Sequence, residues 1–290
     1  MPQASPAWYD EQYNNRARIP GHPAILQHWY HASNEALANS VEVAEIAYGS
    51  DPRERLDVFP GTTAGSPVLV YVHGGYWRAL HKRDQSFVAP PFVKAGAMVV
   101  LPDYALCPAV TIEQIVLQTV QALAWVYRNA EHYGGDPTRI VVAGHSAGGH
   151  LATMMLACRW REVAPDLPAD LVKAALSISG LYELEPLRHV EFLAPDLRLS
   201  EASALKLSPA AMPAPAGRLV TVVGGDESEE FQRQANLIMQ RWGPTTVIAT
   251  EKPSGRNHMD VLHELADPHS RTHRHALHLL GLPSSVVPDL

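Results

Sequence analysis

Eight short runs of apolar residues recur along the chain, at Val41 to Tyr48, Arg55 to Phe59, Val68 to Val72, Ala97 to Leu101, Ile140 to Ala143, Ala174 to Ser179, Leu219 to Val223 and Thr246 to Thr250. They are too short for long helices, and the central ones are apolar at nearly every position, which predicts strands buried on both faces. Between the later runs the apolar positions return with helical spacing, at Ser86 to Lys94, Ile112 to His132, Ala147 to Arg159, Glu229 to Arg241 and His258 to Leu265. Alternation of strand and helix predicts an α/β chain: a mostly parallel eight-stranded sheet with helices on both faces. Two segments fall outside the repeat. Residues 1–40 place eight aromatic or histidine side chains before the first strand and read as an N-terminal arm, either a partial lid over the carboxyl edge of the sheet or a packing element. Residues 181–216, rich in Pro, Leu and Ala, read as an insertion near the end of the sheet where a site forms, or as a surface excursion. The length of 290 residues and an apolar content of 46% suit one domain spanning 1–290.

Two of the predicted strands run directly into residues that carry chemistry. The strand ending at Ala143 is followed by Gly144-His145-Ser146-Ala147-Gly148 and then by a helical stretch. G-x-S-x-G in that setting is a nucleophile elbow, in which the serine sits at a sharp turn with its hydroxyl exposed and both flanking positions need glycine. The strand ending at Val72 is followed by His73-Gly74-Gly75-Tyr76-Trp77. Backbone N–H groups of Gly75 and Tyr76, with Gly74 as the alternative, are positioned with that of Ala147 to meet an oxyanion. A serine hydroxyl needs a base, and the base needs a carboxylate to hold its tautomer. His258 follows the eighth strand and is the expected base. Gly224-Gly225-Asp226-Glu227-Ser228 follows the seventh and offers two adjacent carboxylates; Asp260 is a third, weaker candidate. His145 and His150 are assigned to support and packing. The cluster His269, His273, His275 and His278 reads as a solvated helix face and no metal is expected.

Composition narrows the partners. The net charge is −7, with 23 basic against 30 acidic residues and no basic block, which removes the footprint of a nucleic-acid binder. No apolar stretch approaches the ~20 residues of a membrane span, and Met1 to Asn15 lacks the basic and apolar regions of a secretory signal. Two distant cysteines, Cys107 and Cys158, point to a reduced compartment, so a cytoplasmic location is expected. The expected partners are a small-molecule substrate and, at most, a second copy in a homodimer.

Together these residues resemble the α/β-hydrolase superfamily in its hormone-sensitive-lipase-like branch, and within it the kynurenine formamidase (arylformamidase) group. His73-Gly74-Gly75-Tyr76-Trp77 has that group's H-G-G-x-W form, where general esterases carry a third glycine. Gly224 to Gln234 is similar to its G-x-x-D-S-x-E-F-x-R-Q stretch; aligned on Gly224, Ser228, Phe231 and Arg233-Gln234, the acid position falls on Glu227, with Asp226 the alternative. Asn257-His258-Met259-Asp260 resembles the segment around the group's catalytic histidine. The resemblance covers about residues 40 to 265. It implies a Ser146–His258–Glu227 triad, no metal or cofactor, and hydrolysis of N-formyl-L-kynurenine, with a small-ester carboxylesterase as the nearest rival. Tyr76 and Trp77 are then candidates to flank the substrate's aromatic ring or to pack beneath the oxyanion loop, packing being favoured more for Trp77 than for Tyr76.

Overall fold

The computed structural model describes residues 5–40 and 43–283. Eight strands form one sheet: β1 (Ala44–Ala47), β2 (Arg55–Phe59), β3 (Ser66–Val72), β4 (Met98–Pro102), β5 (Gly135–His145), β6 (Val172–Ile178), β7 (Arg218–Val222) and β8 (Val247–Glu251), in the order β1-β2-β4-β3-β5-β6-β7-β8. The first two pair antiparallel and the other six run parallel, as the strand–helix alternation requires. The first two residues of the predicted opening strand, Val41 and Glu42, lie outside the described residues, as do the first four of the arm.

Alternation along β3 shows why its apolar run is continuous. Val68, Val70 and Val72 face one cluster, and Leu69 and Tyr71 face the other. With no face left to water, neither set of positions is polar. Three helices precede the sheet: α1 (Pro6–Tyr13), α2 (Asn15–Arg18) and α3 (His22–Asn39). Within it follow α4 (Ala89–Lys94), α5 (Ile112–Asn129), α6 (Ala147–Leu156) and α7 (Trp160–Val163), then α8 (Ala194–Leu197) and α9 (Glu201–Lys206) in the insertion, and finally α10 (Glu229–Thr246), α11 (His263–Ala266) and α12 (Arg271–Leu280). The cluster that holds α5, α6 and α10 lies on one face of the sheet; α3, α4 and α12 cover the other.

The structure corrects two helix expectations. Ser86 to Lys94 is not one α-helix, because a 3-10 segment over Lys82–Val88 runs into α4 with Gln85 off helical geometry. His258 to Leu265 is a turn, a 3-10 segment at Asp260–Leu262 and the four-residue α11. The reason is local. Asn257 Oδ1 accepts the N–H groups of Met259 and Asp260, and Asp260 Oδ1 accepts that of Asn257, so side chains satisfy donors that a helix would leave to its own first turn.

The arm is fastened rather than draped. Tyr13 is fully buried, and its phenol donates to Glu230 Oε1 at 2.7 Å, while Gln12 Oε1 accepts the Glu230 N–H. Glu230 in turn receives Arg233 Nε at 2.8 Å. Farther along, Trp29 on α3 is buried and donates its indole N–H to His263 Nε2 at 3.0 Å.

Trp77 does not flank a substrate. It is wholly buried, edge-on to His150 with ring centroids 5.0 Å apart, because the loop after β3 turns it beneath itself and onto α6. His150 donates from Nε2 to Leu207 O at 2.8 Å, and burial holds its imidazole down to about 4 against an ordinary 6.5. Below pH 6.5 the unfolded chain therefore takes up a proton that the folded chain refuses, and stability is lost as the pH falls from 6.5 toward 4. Between pH 7 and 5 this one group removes about 2 kcal/mol. His150→Gln, which retains a donor for Leu207 O, is expected to lose less stability over that interval than the parent in urea titrations; equal losses would show that His150 titrates normally in the fold.

Candidate active site

Strand β5 delivers Ser146 to the carboxyl edge of the sheet with φ +57° and ψ −117°, a left-handed conformation at the head of α6. The backbone is pinned there by the Ser146 N–H to Ile178 O at 2.8 Å. The flanking glycines are required by contact. A Cβ at Gly148 would sit 2.0 Å from Val72 O, and one at Gly144 would sit 2.2 Å from Gly148 O.

His258 stands between the serine and a buried acid. Its Nε2 lies 3.1 Å from Ser146 Oγ and its Nδ1 lies 2.6 Å from Glu227 Oε2. With Nδ1–H donating to the carboxylate, Nε2 is left with its lone pair toward the hydroxyl, the arrangement a general base needs. The Glu227 carboxylate also accepts Ser179 Oγ at 2.5 Å and the Gly224 N–H at 2.6 Å. The other two acids go elsewhere. Asp226 is exposed, and Asp260 spends its oxygens on the Asn257 N–H and Nδ2, 2.7 and 2.9 Å away. The Phe231 ring packs on the His258 ring at 4.3 Å. Gln234 Oε1 accepts the N–H groups of Tyr182 and Glu183, which ties the segment after the acid to the insertion.

The loop after β3 faces the serine. Gly75 has φ +106°, and a Cβ there would meet Ala79 O at 2.1 Å; Tyr76 follows at φ +49°. A side chain on Gly74 would lie 3.3 Å from Ser146 Cβ, so this backbone borders the nucleophile directly. The Gly75 and Tyr76 amides donate to no backbone carbonyl of the described residues, and Ala147, at the first position of α6, has no helical acceptor. Donors that are free, fixed and adjacent to the serine are what an oxyanion hole requires.

Sequence reasoning did not anticipate what steadies this loop. His73 places Nε2 2.8 Å from Asp103 Oδ1 and Nδ1 2.8 Å from Gly74 O. Both partners are acceptors, one on the loop itself and one at the end of β4, so the ring ties the loop to the sheet. Burial acts to raise Asp103, but the His73 hydrogen bond and charge, together with the charges of His81 and Arg53, outweigh it and hold that carboxyl below its ordinary range. Tyr104 stacks on His73 at 4.3 Å and donates to His73 O. The sequence signal was an H-G-G read only for its glycines, followed about thirty residues on by Asp-Tyr at the end of β4. Ser179 had no signal beyond its place after β6.

His145, beside the nucleophile, turns away from it. Its Nε2–H donates to His258 O at 2.7 Å, and burial with the neighbouring His258 pushes its imidazole down to about 3, so it is a neutral support for the backbone that carries the base. The C-terminal histidines do not converge: His273 is buried against Phe92 and bonds Leu265 O, whereas His275 pairs with Glu251. Among the described residues no group of three His, Cys, Asp or Glu side chains is disposed to hold a metal.

Ser146 and His258 open into a cavity of about 440 Å³. Its walls come from both segments that lay outside the strand–helix repeat, with Asn15, Arg16 and Trp29 from the arm and Phe192 and Asp196 from the insertion, closed by Tyr76. Burial and then the Glu227 charge push the Tyr76 phenol up, so it stays protonated and donates to Tyr13 O at 2.7 Å while accepting Asn15 Nδ2 at 3.2 Å.

Fold and site together define a hydrolase built on an elbow serine. Residues 56–169 match the BD-FAE family. The chain is 28% identical to kynurenine formamidase of Salmo salar over 91% of its own length and 90% of the relative's. It is 33% identical to esterase LipQ of Mycobacterium tuberculosis over 50% of its length and 37% of the relative's. A crystal structure from Silicibacter, provisionally described as a thioesterase, superposes with a TM-score of 0.79 at 30% identity, covering 90% of this chain and 96% of that one. The chain belongs to the α/β-hydrolase superfamily, in its hormone-sensitive-lipase-like branch, and resembles kynurenine formamidase. Among the described residues no helix is long and apolar enough to cross a membrane.

The two carboxylates after β7 separate cleanly in a test. Glu227→Gln is expected to lower kcat by roughly 10³–10⁴-fold, since an amide stabilises neither the tautomer nor the cation of His258. Asp226→Asn should stay within about twofold, as befits an exposed surface group. Steady-state kinetics on any hydrolysed ester checks the pair, and the opposite ranking would show that the acid is Asp226.

Proposed function

We propose that this chain is a serine hydrolase that cleaves an aryl formamide of the N-formyl-L-kynurenine type through a formyl-enzyme. The observation that carries the reading is the continuous relay from Glu227 through His258 to Ser146, opening into a cavity of substrate size. The formamide is favoured by the relatives: the match to kynurenine formamidase extends over nine-tenths of both chains, whereas the match to LipQ spans half of this one.

His258 Nε2 takes the Ser146 proton as Oγ attacks the formyl carbon. The carbonyl oxygen becomes an oxyanion held by the amides of Ala147, Gly75 and Tyr76, each such donor contributing about 3 kcal/mol to the barrier reduction. Protonated His258, its charge balanced by Glu227, then gives its proton to the departing arylamine as the C–N bond breaks. Water enters, loses a proton to the same imidazole, and releases formate while Ser146 regains its hydrogen. An anilide nitrogen leaves more readily than an alkylamine because the ring delocalises its lone pair, so machinery suited to esters reaches this amide. No step calls on a metal or cofactor.

The carboxylesterase reading uses the same residues with an alcohol leaving. The discriminating measurement is kcat/KM for N-formyl-L-kynurenine against p-nitrophenyl acetate. A formamidase should process the formamide at least as efficiently as the activated ester; near-silence on the formamide with rapid ester cleavage would move the assignment to the esterase. In either case Ser146→Ala should abolish labelling by a fluorophosphonate, and labelling that persists would remove Ser146 from the nucleophile's position.

A further inference from the structure

We propose that the mouth of the active-site cavity is a carboxylate subsite whose cation is Arg16, so that the chain selects substrates carrying a carboxylate on the part remote from the bond that breaks. The inference rests on the serine-hydrolase reading above and names the substrate class that reading leaves open.

Two guanidinium groups line the cavity, Arg16 and Arg78, and they are in opposite states. Arg78 is committed to the wall. It donates to Phe192 O at 2.8 Å, pairs with the Asp196 carboxylate, and lies over the Phe192 ring at 5.6 Å. Arg16 makes no hydrogen bond or ion pair with any described residue, although Arg18, two positions on, finds Glu11 at 3.8 Å. The remaining carboxylates near the cavity are engaged: Asp196 by Arg78, and Glu227 by His258, Ser179 and Gly224. Among the described residues that line the cavity, Arg16 is therefore the guanidinium without a carboxylate partner.

That charge stands on a fixed platform. On one side of Arg16, Asn15 is 7% exposed with its amide on the Tyr76 phenol. Before it, the Tyr13 carbonyl accepts the same phenol, and the Tyr13 hydroxyl is bonded to Glu230. The backbone is thus held on both residues 13 and 15, and only the side chain of Arg16 projects free. The guanidinium fork is planar and rigid in itself, and a carboxylate accepts it through two parallel N–H···O bonds. An acid group on the far end of the substrate would enter an otherwise mostly apolar cavity where Arg16, unpaired among the described residues, is its complement. N-Formyl-L-kynurenine has this form, with its amino-acid carboxylate at the opposite end from the formamide.

Arg16→Gln and, as a surface control, Arg18→Gln are compared with the parent on two substrate pairs, each pair differing only in whether the remote carboxylate is free or a methyl ester. One pair is N-formyl-L-kynurenine and its methyl ester; the other is 3-(4-acetoxyphenyl)propanoate and its methyl ester, in which the carboxylate again sits on the leaving group. In Arg16→Gln, kcat/KM for the free acid should fall about fivefold, carried by KM, while the methyl ester changes little and Arg18→Gln leaves both unchanged. Raising salt should shrink the parent's preference for the acid and leave that of Arg16→Gln flat. An unchanged acid-to-ester ratio in Arg16→Gln, on whichever pair is hydrolysed, overturns the subsite. Hydrolysis of the acetoxyphenyl pair alone removes the formamidase reading while the acid-to-ester ratio of that pair still decides Arg16. If the parent hydrolyses neither pair, the catalytic reading and the subsite fall together.

Discussion

Everything in the site depends on how closely the head of α6 approaches the end of β3. At Gly148 the separation leaves no room for a methyl group beside Val72 O, and at Gly144 the strand and helix backbones meet just as tightly. That closeness forces Ser146 into its left-handed turn and sets its side chain beside Gly74. The serine and the candidate oxyanion loop are therefore brought together by backbone contact, which is stiffer than any side-chain arrangement and would cost no reorganisation during reaction. A strained serine persists because the sheet on either side overdetermines it.

The base and acid arrive by a different principle. Neither His258 nor Glu227 sits on regular structure, and each is fixed by polar contacts from several elements. Glu227 is gripped from β6 through Ser179 and from its own loop through the Gly224 N–H; His258 is held through its backbone by His145 and over its ring by Phe231. Removing any one of these leaves others in place, but the imidazole can reach Ser146 only while both of its neighbours hold.

The sheet was legible because buried parallel strands leave continuous apolar runs, and all eight were found with ends displaced by a few residues. The elbow and the H-G-G loop were legible because their geometry admits few residue types. Glu227 could be preferred to Asp226 only through the spacing of Ser228, Phe231 and Arg233-Gln234. The structure gives that spacing a physical reason: Phe231 must reach the His258 ring, Arg233 must pair with Glu230, and Gln234 must bond Tyr182 and Glu183. Trp77 stood open between flanking the substrate and packing beneath the loop, because an aromatic residue beside an oxyanion loop carries no sign of which side of the loop it falls on; its complete burial decides for packing. Ser179, Asp103 and Tyr104 were invisible for a related reason: each acts through a partner distant in sequence, and a single polar side chain after a strand has no periodicity to betray it.

The N-terminal arm is the part whose purpose changes most between sequence and structure. A lid that merely covered the cavity would need only apolar contact. Instead, the Tyr76 phenol is held by the Tyr13 carbonyl and the Asn15 amide, and Tyr76 belongs to the loop that meets the nucleophile at Gly74. Tyr13 continues the connection to Glu230 on α10, the helix that begins just after Glu227. The arm therefore bridges the loop that would receive the oxyanion and the element that carries the acid, the two sides of the site that the sheet alone does not join. A segment placed so is suited to set the distance between them as well as to wall the cavity: its buried hydrogen bonds, whose directions fix position, add to the apolar packing of Tyr13, Ile19 and Trp29 in the two cores, which alone would tolerate sliding.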